Sequence, residues 1–231
     1  MRLTLRALSV LLAYPSAELK AHMHEVRAAL VAENALTPMA LRALEPLLRN
    51  METQELLDLQ SEYGELFDRS RSLSLHLFEH VHGDSRERGP AMIDLGQRYV
   101  DHGCLLQEGE LPDFTPVFLE FASLLPPGEA VELLCQPAHV FAALEERLAK
   151  RKSPYAAIFH AVLVVARAQP DPDALTELQQ RAPSDDPANI DAEWQEAAVT
   201  FSTPSHEMGG PTGLIAKYRA AGRALGAALK R

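Results

Sequence analysis

The run His76-Leu77-Phe78-Glu79-His80 follows an H-x-x-E-H pattern, which on a helix sets two imidazoles one turn apart with a carboxylate beside them. Residues so placed could hold a zinc ion while Glu79 activated its bound water, with His82 as a third ligand; that is metallohydrolase chemistry. Against it, Gly83-Asp84-Ser85 stops such a helix almost at once, and five-residue patterns of this kind arise easily by chance. Histidines at surface or capping positions are the plainer account. A second group follows in Glu110-Leu111-Pro112-Asp113 and Glu120. Asp113 and Glu120 are seven positions apart and would share one helix face, about 10 Å from each other along its axis. That separation is long for two carboxylates acting on one substrate atom but suits two basic groups of a peptide. Asp113 as a helix cap and Glu120 as a solvated charge is the competing account.

The elements that must position these groups read as helices. Thr37-Pro38, Thr115-Pro116, Ser153-Pro154 and Asp171-Pro172 each put a capping side chain before a proline, whose missing N–H costs nothing in a first turn. Leu41, Leu44, Leu48 and Met51 form one apolar stripe; Leu56, Leu59, Tyr63, Leu66 and Phe67 form another. Gly89-Pro90 opens a helix that runs through Ile93, Gln97 and Val100 to Gly103, where a left-handed glycine ends it. Phe114, Val117, Phe118, Phe121, Leu124 and Leu125 anchor the helix that carries Glu120, and Pro126-Pro127 closes it. Tyr155 to Ala166 is apolar on every side, the pattern of a helix surrounded by others.

Composition narrows the function classes. A chain of 231 residues with 47% apolar content can fill a core, and a net charge of −10 argues against a general nucleic-acid binder. Phosphate loops, glycine-rich dinucleotide turns and nucleophile elbows are missing from the sequence. Cys104 and Cys135 have neither redox-pair nor zinc-knuckle spacing, which fits a reducing cytosol. The N-terminal run Ala7 to Ala13 flows into Tyr14-Pro15-Ser16 and a further amphipathic segment, so it reads as a first core helix rather than a secretion signal. The tract Tyr155 to Ala166 is shorter than the ~20 residues that span a bilayer, so no membrane insertion is expected. After Arg181 the chain turns rich in Pro, Ser, Gly and Asp, which places a domain boundary at residue 182. Residues 183–231 then read as a flexible tail whose last part, Gly213 onward, is a basic amphipathic helix candidate with five basic and no acidic residues.

Three segments together resemble a known family: LLAYPSAEL near the N-terminus, the run from Glu62 to Leu95 that contains EYGELFDRS and LHLFEHVHGDS, and GELPDFTPVFLEF from Gly109 to Phe121. They are similar to the NarJ-type nitrate reductase molybdenum cofactor assembly chaperones, relatives of the TorD and DmsD redox-enzyme maturation proteins. The resemblance covers roughly residues 3 to 170. It implies an all-α fold, a single helical bundle over residues 1–182, in a cytoplasmic protein that is not an enzyme and carries no cofactor or metal of its own. It further implies binding to the apo catalytic subunit of respiratory nitrate reductase through that subunit's N-terminal region, until molybdenum cofactor is inserted and the complex can dock at the membrane. Molybdenum cofactor biosynthesis proteins are implied as further partners, and nucleic acid is not.

Carried over position by position, the resemblance implies client contact around Tyr63, Phe67 and Asp68, around Leu75, His76, Glu79, His80 and His82, and at Glu110, Pro112, Asp113 and Glu120, with some of these positioning the loop from Gly83 to Gly89. The expected device is a groove in which Phe67 and Leu75 take the apolar face of an amphipathic client helix while the carboxylates meet its basic residues. Two further expectations attach to it: client affinity that varies with pH through His76, His80 and His82, and occlusion of the groove by the basic tail. A zinc hydrolase built on His76, Glu79 and His80, and a stable adaptor subunit that stays in the mature complex, are the rival readings.

Overall fold

Leu5, Leu8, Leu11 and Leu12 recur at helical spacing, and all four are fully buried on one face of α1 (Arg2–Leu12). This is the expected first core helix. The computed structural model describes residues 1–69, 71–83 and 85–180; the tail 183–231, and with it the expected basic helix and its expected occlusion of the groove, lies outside the described residues. Short helices α2 (Ala17–Ala21) and α3 (Met23–Ala32) follow, then α4 (Pro38–Thr53) and α5 (Leu56–Tyr63). A π-helical turn (Gly64–Asp68) and a 3-10 turn (Arg71–Leu73) lead to α6 (Leu77–His82) and α7 (Arg88–Asp101). The remainder is α8 (Thr115–Leu124), α9 (Pro127–Cys135), α10 (Ala138–Lys150), α11 (Ala156–Ala166) and α12 (Pro172–Gln180). No strand occurs among the described residues, so the all-α class holds, and none of their helices is long and apolar enough to cross a membrane.

The core is layered around α11, which packs against α1, α4, α9 and α10. Ile158, Phe159, Ala161 and Val162 are fully buried there, while His160, Leu163 and Val164 are only partly covered. α1 lies on α8, and the Ser9 hydroxyl donates to Pro116 O at 2.7 Å to fix the crossing. Tyr63 at the end of α5 donates its hydroxyl to Leu12 O, one of the carbonyls left open at the end of α1. Lys20 does the same for α4, its ammonium donating to Met51 O at 2.9 Å and to Gln54 O.

The proline-marked starts divide into two kinds. Thr37 accepts from Ala40 N at 3.1 Å and Asp171 from Asp173 N at 2.9 Å, so both cap their own helices. Ser153 instead closes a turn by accepting from Tyr155 N, which delays α11 to Ala156. Thr115 begins α8 but sends its hydroxyl to another segment, as described below. Along α7 the apolar pattern does not mean burial: only Tyr99 is buried, and Ile93 and Val100 face outward. Leu124, expected as an anchor of α8, is half exposed. The stripe on α5 continues inward only because the helix widens into a π turn, where Arg69 N reaches back five residues to Gly64 O. That extra residue per turn keeps Leu66 and Phe67 in the core.

Candidate functional site

A six-residue helix such as α6 is too short to hold itself, and its N-cap residue, His76, makes no capping bond from its own side chain. The cap comes from Asp113, 35 residues beyond the Phe78 amide that it meets. Its carboxylate is fully buried, accepting from Phe78 N at 3.1 Å through one oxygen and meeting His76 Nδ1 at 3.2 Å through the other. The two backbones are joined as well. Leu77 N donates to Asp113 O at 3.0 Å, Thr115 N donates to Leu75 O at 2.8 Å, and His76 and Phe114 form an antiparallel bridge. The Thr115 hydroxyl adds a bond to Leu75 O at 2.6 Å, which is why it does not cap α8. Pro112 is buried, and its carbonyl accepts from the Tyr99 hydroxyl at 2.7 Å; that ring lies 4.1 Å from Phe121. The Glu110-Leu111-Pro112-Asp113 stretch thus works as a clamp that aims one carboxylate at the start of α6.

Two more bonds steady this short helix. His80 Nε2 lies 2.7 Å from Ser74 O and must donate to it, which fixes its tautomer. Burial holds the His80 pKa below the ordinary histidine value, and Arg147 works in the same direction, against the Ser74 bond and the carboxylates of Glu79 and Asp113. Glu79 pairs with Arg88 at 3.2 Å and ties α6 to α7, while the His82 ring stands edge-on to Phe78 at 5.4 Å. The zinc reading fails on this geometry. His76 lies before the helix, the placed nitrogens of His76 and His80 are directed to Asp113 and Ser74, and Glu79 is drawn to Arg88. No group of three His, Cys, Asp or Glu able to hold a metal is gathered among the described residues.

The expected contact residues fall into two sets. Tyr63, Phe67, Leu75, Pro112 and Asp113 are buried, and their side chains build the frame. Phe67 and Leu75 therefore cannot form the open apolar wall of a groove in this conformation. Nor do Asp113 and Glu120 share a helix face: Asp113 precedes α8 and points inward, whereas Glu120 is exposed. Asp68, Glu110 and Glu120 are exposed, and His76, Glu79, His80 and His82 are intermediate. Glu110 accepts from Gln107 N at 3.0 Å, which rounds its own loop.

Sequence reading missed the apolar hollow beside the clamp. A cavity of about 210 Å³ opens between α6 and α7 on one side and α8, α9 and α10 on the other. Phe78 and Val81 of α6, Leu95 of α7, Phe118 of α8 and Leu133 of α9 line it, with His139 at its edge. Leu77 and Val81, four apart in a His-rich run, were the signal: they give α6 an apolar face that its neighbours only partly cover, and Val81 is 40% exposed. Burial lowers the pKa of His139, with the Asp171 charge opposing it, which favours the neutral ring. Such a hollow suits one or two apolar side chains of a partner.

The family model described as nitrate reductase delta subunit matches residues 32–161, which include α6, the Asp113 clamp and the cavity walls. The nitrate reductase molybdenum cofactor assembly chaperone NarJ of Escherichia coli K12 is 44% identical over 194 residues, 84% of this chain and 82% of that protein. The probable chaperone NarW of the same strain is 39% identical, covering 85% and 83%. The probable chaperone NarJ of Bacillus subtilis strain 168 is 32% identical, covering 70% and 87%.

Proposed function

The chain belongs to the nitrate reductase delta subunit family, and on that premise we propose that it is a NarJ-type assembly chaperone for the catalytic subunit of nitrate reductase. It acts by binding, not by catalysis. It holds the apo catalytic subunit through an N-terminal segment, in the cytoplasm, until the molybdenum cofactor is inserted. The observation that carries this reading is the 44% identity across 84% of the chain to a chaperone of that name.

The geometry supports a division of labour. The clamped helix α6 presents Phe78 and Val81 over an apolar hollow that accepts the apolar side chains of an amphipathic segment. Exposed carboxylates such as Glu110 and Glu120 give the surroundings a charge suited to basic neighbours of those side chains. Affinity then comes mainly from the apolar anchors and discrimination from the charges.

The test is a calorimetric titration of the chain with a peptide matching the N-terminus of the nitrate reductase catalytic subunit from its own organism. Saturable binding to wild type and its loss in Val81→Asp, with the melting temperature preserved, is the expected result. A peptide bound equally by both would move the client surface elsewhere. Binding of cofactor-loaded enzyme as tightly as the apo form would favour a stable adaptor over a chaperone.

A further inference from the structure

Helix α7 turns toward solvent a face that the hollow does not use. Gly89, Ile93, Gly96 and Val100 follow one another at steps of four, three and four, so they form a single stripe along the helix. Ile93 is 71% exposed and Val100 51%. Leu95, which lines the hollow, and the buried Tyr99 lie on a different face of the same helix.

The glycines are a second sign. Gly96 stands in the middle of α7, where glycine makes a helix less stable than alanine would, and such a position asks for a packing reason. The chain itself supplies none: at Gly89 and at Gly96 no packed neighbour lies within 4 Å of the place a Cβ would take. The stripe thus alternates gaps with apolar knobs. Charges mark its two ends. Arg86, in the turn before α7, has no ion-pair partner among the described residues. Asp101, the last residue of α7, accepts from the neutral Gln97 amide at 2.8 Å.

We propose that two copies of this chain pair through this face, antiparallel about a two-fold axis that passes between Asp94 and Leu95. In that register the stripe complements itself. Ile93 of each copy stands over Gly96 of the other, Val100 over Gly89, and Arg86 comes beside Asp101 at both ends. Knob meets gap and cation meets carboxylate on both sides of the axis, so the contact needs no second kind of surface. One helix face of this length buries about half of the roughly 800 Å² per partner of a standard interface. Pairing is therefore weak, with a Kd on the order of 10–100 µM. The proposal stands apart from the chaperone reading, since the paired face is not the one that lines the hollow.

Analytical ultracentrifugation of the full chain, from about 5 to 500 µM, brackets that range. Wild type should show a monomer–dimer equilibrium, and Ile93→Asp should pair about tenfold more weakly. Gly96→Leu separates folding from pairing: leucine favours the helix and meets open space within the chain, so this variant should melt at the same or a higher temperature and still pair about tenfold more weakly. Arg86→Asp and Asp101→Arg should each pair about threefold more weakly alone. An equal mixture of those two variants should pair as wild type does, because each offers the other the charge it has lost. A chain that stays monomeric throughout the range overturns the proposal and leaves the stripe to a different protein. Dimers that Ile93→Asp and Gly96→Leu leave intact place the contact elsewhere and overturn it as well. A mixture that pairs no better than the single variants removes the antiparallel register, and the proposal with it.

Discussion

Helices α11 and α6 are held by opposite means. α11 is apolar apart from His160 and packs against four other helices, so buried area fixes it more than any single bond. α6 is six residues long, with only Leu77 buried, and its position depends on a few directional bonds to Asp113, Ser74 and Arg88. Burial resists opening all along α11, whereas a bond network gives way once one member is lost. The lesson is that the surface proposed for the client sits on the part held by few bonds, located with care yet weakly buried.

This contrast predicts a ranked series. Phe159→Ala in α11 should lower global stability by about 3–5 kcal/mol, read as a drop in urea midpoint with unchanged slope. Asp113→Ala should cost about 1–3 kcal/mol by stranding Phe78 N and the start of α6. Hydrogen exchange should then rise in α6 with α11 still protected; equal loss of protection in both would break the distinction between the two regions. His80 gives the next effect. Its folded pKa lies below the ~6.5 of the unfolded chain, so its contribution is full above that pH and is lost as pH falls through the folded value. Stability should therefore decline as the pH falls below about 6.5, and His80→Gln should flatten that decline. Last, Arg88→Ala should change global stability by less than about 1 kcal/mol while loosening α6 on α7, measurable as faster exchange there.

The sequence and the fold agree where the signal is local. Thr37-Pro38 marks a helix start because the capping oxygen and the amide it meets are three residues apart. The run from Tyr155 to Ala166 is legible as central because contact with four helices leaves an apolar residue at nearly every position, His160 excepted. Asp113 was legible as a residue of interest but not for its role, since the amides it satisfies belong to a segment 35 residues earlier. Its placement also makes Asp113→Asn a poor test of client charge, and Glu120→Gln the cleaner one. The π turn was illegible because one extra residue in a turn leaves the stripe of Leu59, Tyr63, Leu66 and Phe67 looking like ordinary helix. The hollow beside α6 draws single residues from several helices, so no window of sequence contains it.

The Arg147 guanidinium has a practical consequence for shortening this protein. One arm donates to Ser72 O at 2.7 Å and the other to Leu178 O at 2.9 Å, so a single side chain joins the turn before α6 to the end of α12. A truncation before Leu178 would withdraw one of those carbonyls and uncover the apolar patch that Leu178 seals. Arg147 would keep its bond to Ser72 O but lose the second carbonyl that holds its guanidinium, although no residue of the clamp had been touched. Trimming for expression or crystallisation therefore has a floor at the end of α12, and a chain cut above it would be expected to fold with the turn before α6 held less firmly.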